Sequence, residues 1–151
     1  MSSTQVSHER VTPEQLEAWR TLVRAVTLII RRLENDLLDR HGISLAWYEV
    51  LARLVEAEGH RLRMSELADG VMLSPSGLTR LVDRMVDAGV VRREQSASDA
   101  RSFYAVLTDE GYERLRTATG THMRGIHEYL LSKYTDEELQ RAAAFVARLQ
   151  D

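Results

Sequence analysis

Ser74-Pro75 and the residues after it constrain this chain more than any other stretch. A serine oxygen accepts from the free amides of a first helical turn, and proline at the first helical position gives up no hydrogen bond, so a helix begins here. It runs to about Ala88, where Gly89 ends it. Leu78, Leu81, Val82 and Met85 recur at three-and-four spacing and form one narrow apolar stripe. Ser76, Gly77, Thr79, Arg80, Asp83, Arg84 and Asp87 fall on the opposite side, which is small near the helix start and cationic along its middle. Small residues let a helix end approach another surface closely, and the free amides and the dipole favour a phosphate there.

Upstream, Ser65 followed by Glu66, Leu67 and Ala68 reads as a shorter helix with its own serine cap, ending near Gly70. Downstream, Val90 to Glu94 and Ser102 to Leu107 are β-rich runs separated by the polar segment Gln95 to Arg101, the pattern of a hairpin. Helix, turn, helix and hairpin together make a winged helix-turn-helix. The ordered series Ser65-Glu-Leu-Ala, Ser74-Pro-Ser-Gly-Leu-Thr-Arg-Leu-Val-Asp-Arg, Gly89-Val-Val-Arg-Arg, Asp99-Ala-Arg101 and Val106-Leu-Thr-Asp-Glu-Gly111 resembles the multiple-antibiotic-resistance regulator (MarR) family of bacterial transcription factors. The resemblance extends over nearly the whole chain, flanking helices included. It implies a dimeric regulator of transcription, in many members switched by a small aromatic or anionic effector lodged where the dimer helices join the DNA-binding lobe. Thiol-based oxidant sensing, another mode of that family, is excluded because the chain has no cysteine.

The ends of the chain are helical. Residues 1–11 are polar and read as a frayed end. Thr12, Pro13 and Gln15 make a capping box, and apolar residues from Leu16 and Trp19 to Leu37 and Leu38 keep helical spacing to about Arg40, with Gly42 beyond. Ser44 caps a second helix through Trp47, Val50, Leu51 and Leu54 to about Glu58, where Gly59 stops it. After the hairpin, Thr108 opens a long helix whose apolar face is read as Tyr112, Leu115, Thr119, His122, Ile126, Tyr129 and Leu130, with Gly120 and Gly125 either weakening it or admitting a close neighbour. Thr135 and Glu138 box a last helix carrying Leu139, Ala143, Val146 and Leu149. The expected fold is mainly α with a small β-hairpin wing. One unit spans 1–151, with the winged helix-turn-helix lobe at 44–108 and a helical dimerisation region at 12–43 and 109–151. Long amphipathic helices that one small lobe cannot cover find their partner in a second copy, so a homodimer is expected.

A net charge of −3 argues at first against a nucleic-acid partner. Between Arg61 and Tyr104, however, seven arginines face six acids, so the central lobe carries the positive share. No run approaches the roughly 18 apolar residues of a membrane span, and the N-terminus lacks the layout of a signal peptide, so a cytoplasmic location is expected. Enzyme signatures are missing: there is no His-Glu-x-x-His, Gly-x-Ser-x-Gly or Gly-Lys phosphate loop. His41, His60, His122 and His127 have no metal-like spacing, so neither a metal nor a cofactor is expected.

The predicted partner is double-stranded DNA. Ser76, Thr79 and Arg80 are placed to meet base edges in a major groove, arginine through paired bonds to guanine and threonine through its hydroxyl and methyl. Ser65, Ser74 and Arg84 are placed for phosphates, with Gly77 among the small residues that allow close approach. Arg101 on the hairpin tip suits a minor groove, and Asp99 is placed to hold its guanidinium in a fork, the roles that the resemblance also implies. Read in isolation, Arg80 and Arg84 serve equally well as solvated charges or as partners of Asp83 and Asp87, and the Asp99–Arg101 pair equally well stabilises a turn. Trp19, Trp47, Tyr48 and His122 are the candidate lining of an effector cleft, against a plainer reading of the tryptophans as core or interface anchors and of His122 as a buried, satisfied histidine. The alternative function is a winged-helix protein-interaction module without specific DNA binding.

Overall fold

The computed structural model describes residues 11–149 apart from Met72. Most of the polar N-terminal segment, residues 1–10, therefore lies outside the described residues. The elements run α1 (Pro13–His41), α2 (Leu45–Glu56), β1 (Arg61–Arg63), α3 (Met64–Ala68), α4 (Pro75–Asp87), β2 (Val91–Gln95), β3 (Phe103–Leu107), α5 (Asp109–Tyr129) and α6 (Asp136–Ala147). The helix starts follow the local chemistry. Thr12 and Thr135 close capping boxes with Gln15 and Glu138, and Ser44, Ser74 and Thr108 each accept from an amide of the first turn. Gly42 and Gly89 end their segments at φ of 65° and 75°, in the left-handed region that glycine enters without a Cβ penalty.

Three boundaries differ from the sequence reading. The second helix stops at Glu56, two residues early, because a single 3₁₀ turn at Glu58–His60 redirects the chain into β1. That strand was not expected: Arg61, Leu62 and Arg63 pair antiparallel with Val106, Ala105 and Tyr104, so the wing is a three-stranded sheet in the order β1-β3-β2. Because β1 runs directly into α3, Ser65 lies inside that helix and does not cap it. Glu66 takes over the task, accepting the backbone N–H of Arg63 at 2.7 Å.

The core sits in the central lobe. Val50, Leu51 and Leu54 of α2 are completely buried, with Leu67, the α4 stripe Leu78, Leu81, Val82 and Met85, the strand residues Val91 and Ala105, and Leu115 and Ala118 of α5 around them. The buried face of α5 is Gly111, Leu115, Ala118, Thr121 and Gly125, displaced from the expected one, and Tyr112 is exposed. Glycine explains the displacement. A Cβ on Gly125 would stand 2.7 Å from Leu33 Cδ2, and one on Gly111 would stand 2.0 Å from the Val90 carbonyl oxygen, so both neighbours approach through the gaps. At Gly120 the nearest side-chain atom, from Arg124 of the same helix, is 3.7 Å away, and none of the described residues uses that gap closely.

Helix α1 packs along α5 through only part of its length. Tyr129 Oη donates to Asp36 Oδ2 at 2.6 Å, and the His41 ring lies 2.8 Å from Thr121 Oγ1. Toward its N-terminus α1 runs free, leaving Leu16, Trp19, Leu22, Val23, Val26 and Ile30 exposed, and no residue of α6 is buried. No described helix is long and apolar enough to cross a membrane.

Candidate nucleic-acid interface

The amphipathic pattern of α4 resolves into two faces. The stripe is buried, while Ser76, Thr79, Arg80 and Arg84 are exposed along the far side, with none of the described residues lying over them. At the helix start Ser74 Oγ accepts the Gly77 N–H at 3.1 Å and lies 3.3 Å from Ser76 Oγ, so the two hydroxyls crown the N-terminus. Gly77 fits tightly there: a Cβ would be 3.1 Å from Ser74 Oγ. The Thr79 hydroxyl donates to the Pro75 carbonyl at 3.0 Å, which commits its proton to the helix and leaves the oxygen only as an acceptor, a narrower offering than a free hydroxyl. Ser65 is exposed on α3, close to the sheet.

The acid in the middle of this face is already engaged. Asp83 pairs with Arg93 of β2. Among the described residues neither Arg80 nor Arg84 takes part in an ion pair. The reading of these arginines as partners of Asp83 and Asp87 therefore gives way to free guanidinium groups. Sequence reasoning missed Arg93. It falls on the sheet face that meets α4, but only the Val91 to Gln95 register reveals that.

The hairpin tip differs from expectation in one respect. Asp99 does not fork the Arg101 guanidinium; its Oδ1 accepts the Arg101 backbone N–H at 2.9 Å and its Oδ2 accepts the Ser102 hydroxyl at 3.1 Å. An aspartate two residues before an amide closes this turn more cheaply than it reaches along a flexible side chain. The Ser96 N–H donates to the Ser102 carbonyl at 2.9 Å and Gln95 Nε2 to the Ala100 carbonyl at 2.9 Å, so the tip closes without the Arg101 side chain, which remains exposed and, among the described residues, outside the ion pairs.

On the outer face of the sheet, Arg61 and Arg63 place their guanidinium carbons 4.7 and 5.4 Å from the Tyr104 ring centroid, and Arg63 Nε donates to the Tyr104 hydroxyl at 3.2 Å. The Arg-Leu-Arg alternation was the available sequence signal for β1, but it is only three residues long. Arg53 was also missed. Its Nη2 donates to the Glu66 carbonyl at 3.1 Å, and its guanidinium fills the space that a side chain on Gly70 would need.

The expected effector lining is only partly assembled. Tyr48 is buried, with its ring 4.2 Å from that of His122, and Trp47 is half-buried against the core. His122 is not satisfied among the described residues: its Nδ1 is buried with no partner there, and burial holds its pKa below the ordinary value. Trp19 does not join them. It is 64% exposed on the free part of α1, about 25 Å along the helix from Asp36.

Comparison with known proteins fits this arrangement. A sequence profile described as MarR family matches residues 41–102. AbsC, a MarR family transcriptional regulator from Streptomyces coelicolor, is 34% identical, with 93% of this chain and 95% of that one covered at a TM-score of 0.87. The chain belongs to the MarR family. Another MarR family transcriptional regulator from the same organism, crystallised in complex with DNA, is 34% identical over 93% of this chain and 87% of that one, at a TM-score of 0.86. The HTH-type transcriptional regulator PecS of Dickeya dadantii is 27% identical over 126 residues, 83% of this chain and 75% of the relative. The MarR fold thus accounts for the helices on either side of the lobe as well as for the lobe itself.

Proposed function

We propose that this MarR-family chain is a sequence-specific DNA-binding transcription regulator, acting as a repressor and not as an enzyme. In this reading a homodimer binds a pseudo-palindromic operator, each α4 in a major groove and each Arg101 in the flanking minor groove. The observation that carries it is the cationic outer face of α4: Arg80 and Arg84 are exposed and, among the described residues, outside the ion pairs, while Asp83 is occupied by Arg93. Ser76, Gly77, Thr79 and Arg80 then meet the bases, and Ser65, Ser74 and Arg84 the phosphates. Asp99 serves by shaping the tip that presents Arg101. The relative crystallised with DNA supports the partner class. The uncovered apolar side of α1, and an α6 of which no residue is buried, support a second copy as the dimer partner. A small molecule lodged between the helical region and the lobe releases the DNA.

The test is in vitro selection of double-stranded DNA with the purified chain, followed by binding of the selected site across salt. An inverted repeat should emerge, affinity should fall steeply between about 50 and 200 mM salt, and Arg101→Ala should weaken binding. Enrichment of no motif, or binding indifferent to salt, refutes this reading in favour of a protein-interaction module.

A further inference from the structure

Arg80, Arg84, Asp83 and Asp87 share the outer side of α4, so taken alone that side is neutral. A residue of another element tips the balance. Alternation along β2 puts Val91 and Arg93 on one side of the sheet and Arg92 and Glu94 on the other. Val91 is buried, and Ala105, which stands opposite Arg93 on β3, is completely buried, so Arg93 is on the side turned toward the helices. Strand β2 is an edge of the sheet and packs against α4, and there the Arg93 guanidinium leaves the core and pairs with Asp83. The tie is short. Gly89, at φ of 75°, turns the chain from α4 into β2, the Val90 N–H donates to the Met85 carbonyl at 3.1 Å, and the Thr108 hydroxyl donates to the Gly89 carbonyl. The strand that carries Arg93 is therefore fixed against the helix that carries Asp83. Asp83 has a second cation within reach, because residues three apart on a helix are neighbours and Arg80 stands three before it. With the carboxylate drawn to Arg93, Arg80 stays outside the ion pairs among the described residues, and the outer side of α4 keeps a net positive charge.

We propose that Arg93 is a specificity-determining positioning residue: it holds the Asp83 carboxylate off Arg80 and away from the surface that meets DNA, and so keeps the Arg80 guanidinium available to a base edge. The role in specificity, though not the capture of Asp83, rests on the reading of the chain as a DNA-binding regulator. Arg93 touches no DNA in this arrangement and acts through its neighbour. Released, Asp83 does two things. Its carboxylate competes with guanine for the Arg80 donors, and it sets a negative charge against the phosphates. The root of the wing thereby governs a major-groove contact, independently of Arg101 at the tip.

The test has one arm without DNA and one with it. In the DNA-free chain, the Arg80 Nε–Hε magnetic-resonance signal, identified by its loss in Arg80→Lys, should move in Arg93→Gln and return when Asp83→Asn is added. On the selected operator and its single-base variants, followed by fluorescence anisotropy, Arg93→Gln should weaken binding about tenfold and flatten preference at the position that Arg80→Ala flattens. Arg93→Lys should keep the preference, since an ammonium still holds the carboxylate. Adding Asp83→Asn to Arg93→Gln should restore operator affinity to within about twofold of the wild type. An exposed ion pair adds little to stability, so every variant should melt close to the wild type. Unchanged base preference in Arg93→Gln, or a uniform loss that follows a lowered melting temperature, overturns the proposal. So does a loss that Asp83→Asn fails to repair and that comes with a salt slope lower by about 1, which makes Arg93 a phosphate contact. A stationary Arg80 signal overturns the capture of Asp83 without reference to DNA. Failure of the wild-type chain to select any sequence refutes the regulator reading, and the role in specificity with it, while leaving that signal to report on the capture.

Discussion

Replacing Gly111 by alanine tests how the long helix α5 is seated on the reading lobe. The new Cβ would stand 2.0 Å from the Val90 carbonyl oxygen and 2.9 Å from Leu107 Cδ1, far inside non-bonded contact for the first of these. Neither side can turn away easily. Thr108 Oγ1 donates to the Gly89 carbonyl at 2.6 Å and the Thr108 N–H to that of Val90 at 3.3 Å, which pins the segment to the start of α5. Overpacking costs about 1–3 kcal/mol, and a backbone obstacle belongs at the upper end. Exchanging glycine for alanine inside a helix returns about 1 kcal/mol. A net loss of about 2 kcal/mol should lower the melting temperature by about 4–8 °C for a chain of this size. Gly120→Ala is the matched control, because its nearest outside atom is Arg124 Nη1 at 3.7 Å, and it should gain about 1 kcal/mol from propensity alone. The assay is thermal unfolding at fixed protomer concentration, since assembly shifts apparent stability. If Gly111→Ala melts at or above the wild type, or both variants move together, the argument from close approach is wrong.

Other expectations address the interface and the helices. Arg80→Ala should cost about 1–3 kcal/mol of operator affinity and relax preference at one base position, whereas Arg84→Ala should weaken all sequences alike and lower the salt slope by about 1; competitive binding to randomised sites distinguishes the two. Leu22→Asp, on a side chain 60% exposed in the single chain, should leave helical content unchanged and produce monomers in sedimentation velocity. Because burial lowers the pKa of His122 below its ordinary value of 6.5, the unfolded chain takes up a proton that the folded one resists. Stability should be full above that value and decline as pH falls through it, and His122→Phe should remove this part of the decline when melting is followed from pH 7.5 to 5.5.

The sequence carried the fold well wherever the signal was local. Ser74 and Pro75 start α4, Gly89 follows it, and all four residues of its apolar stripe are buried, because caps, proline and helical spacing are decided within a few residues. Legibility failed where the outcome depended on a distant neighbour. Strand β1 exists because β3 lies beside it, and the α5 face is displaced because Leu33 and Val90 enter at glycines whose vacancy the periodicity cannot reveal. The candidate interface divides in the same way. The exposed set on α4 was readable, but the Asp83–Arg93 pair that leaves its arginines unopposed crosses from helix to strand. The fork between Asp99 and Arg101 was an inference from spacing, and an aspartate in a turn bonded the nearer backbone amide instead.

The free stretch of α1 bears on how such a chain would respond to its own abundance. If a second copy covers Trp19, Leu22, Val23 and Val26, protomers below the association threshold leave that oily strip in water and lack the twin reading head that a symmetric site demands. Occupancy of a two-fold site would then climb with the square of protomer number in the dilute regime, so a modest rise in synthesis would fill it more sharply than any single-copy binder.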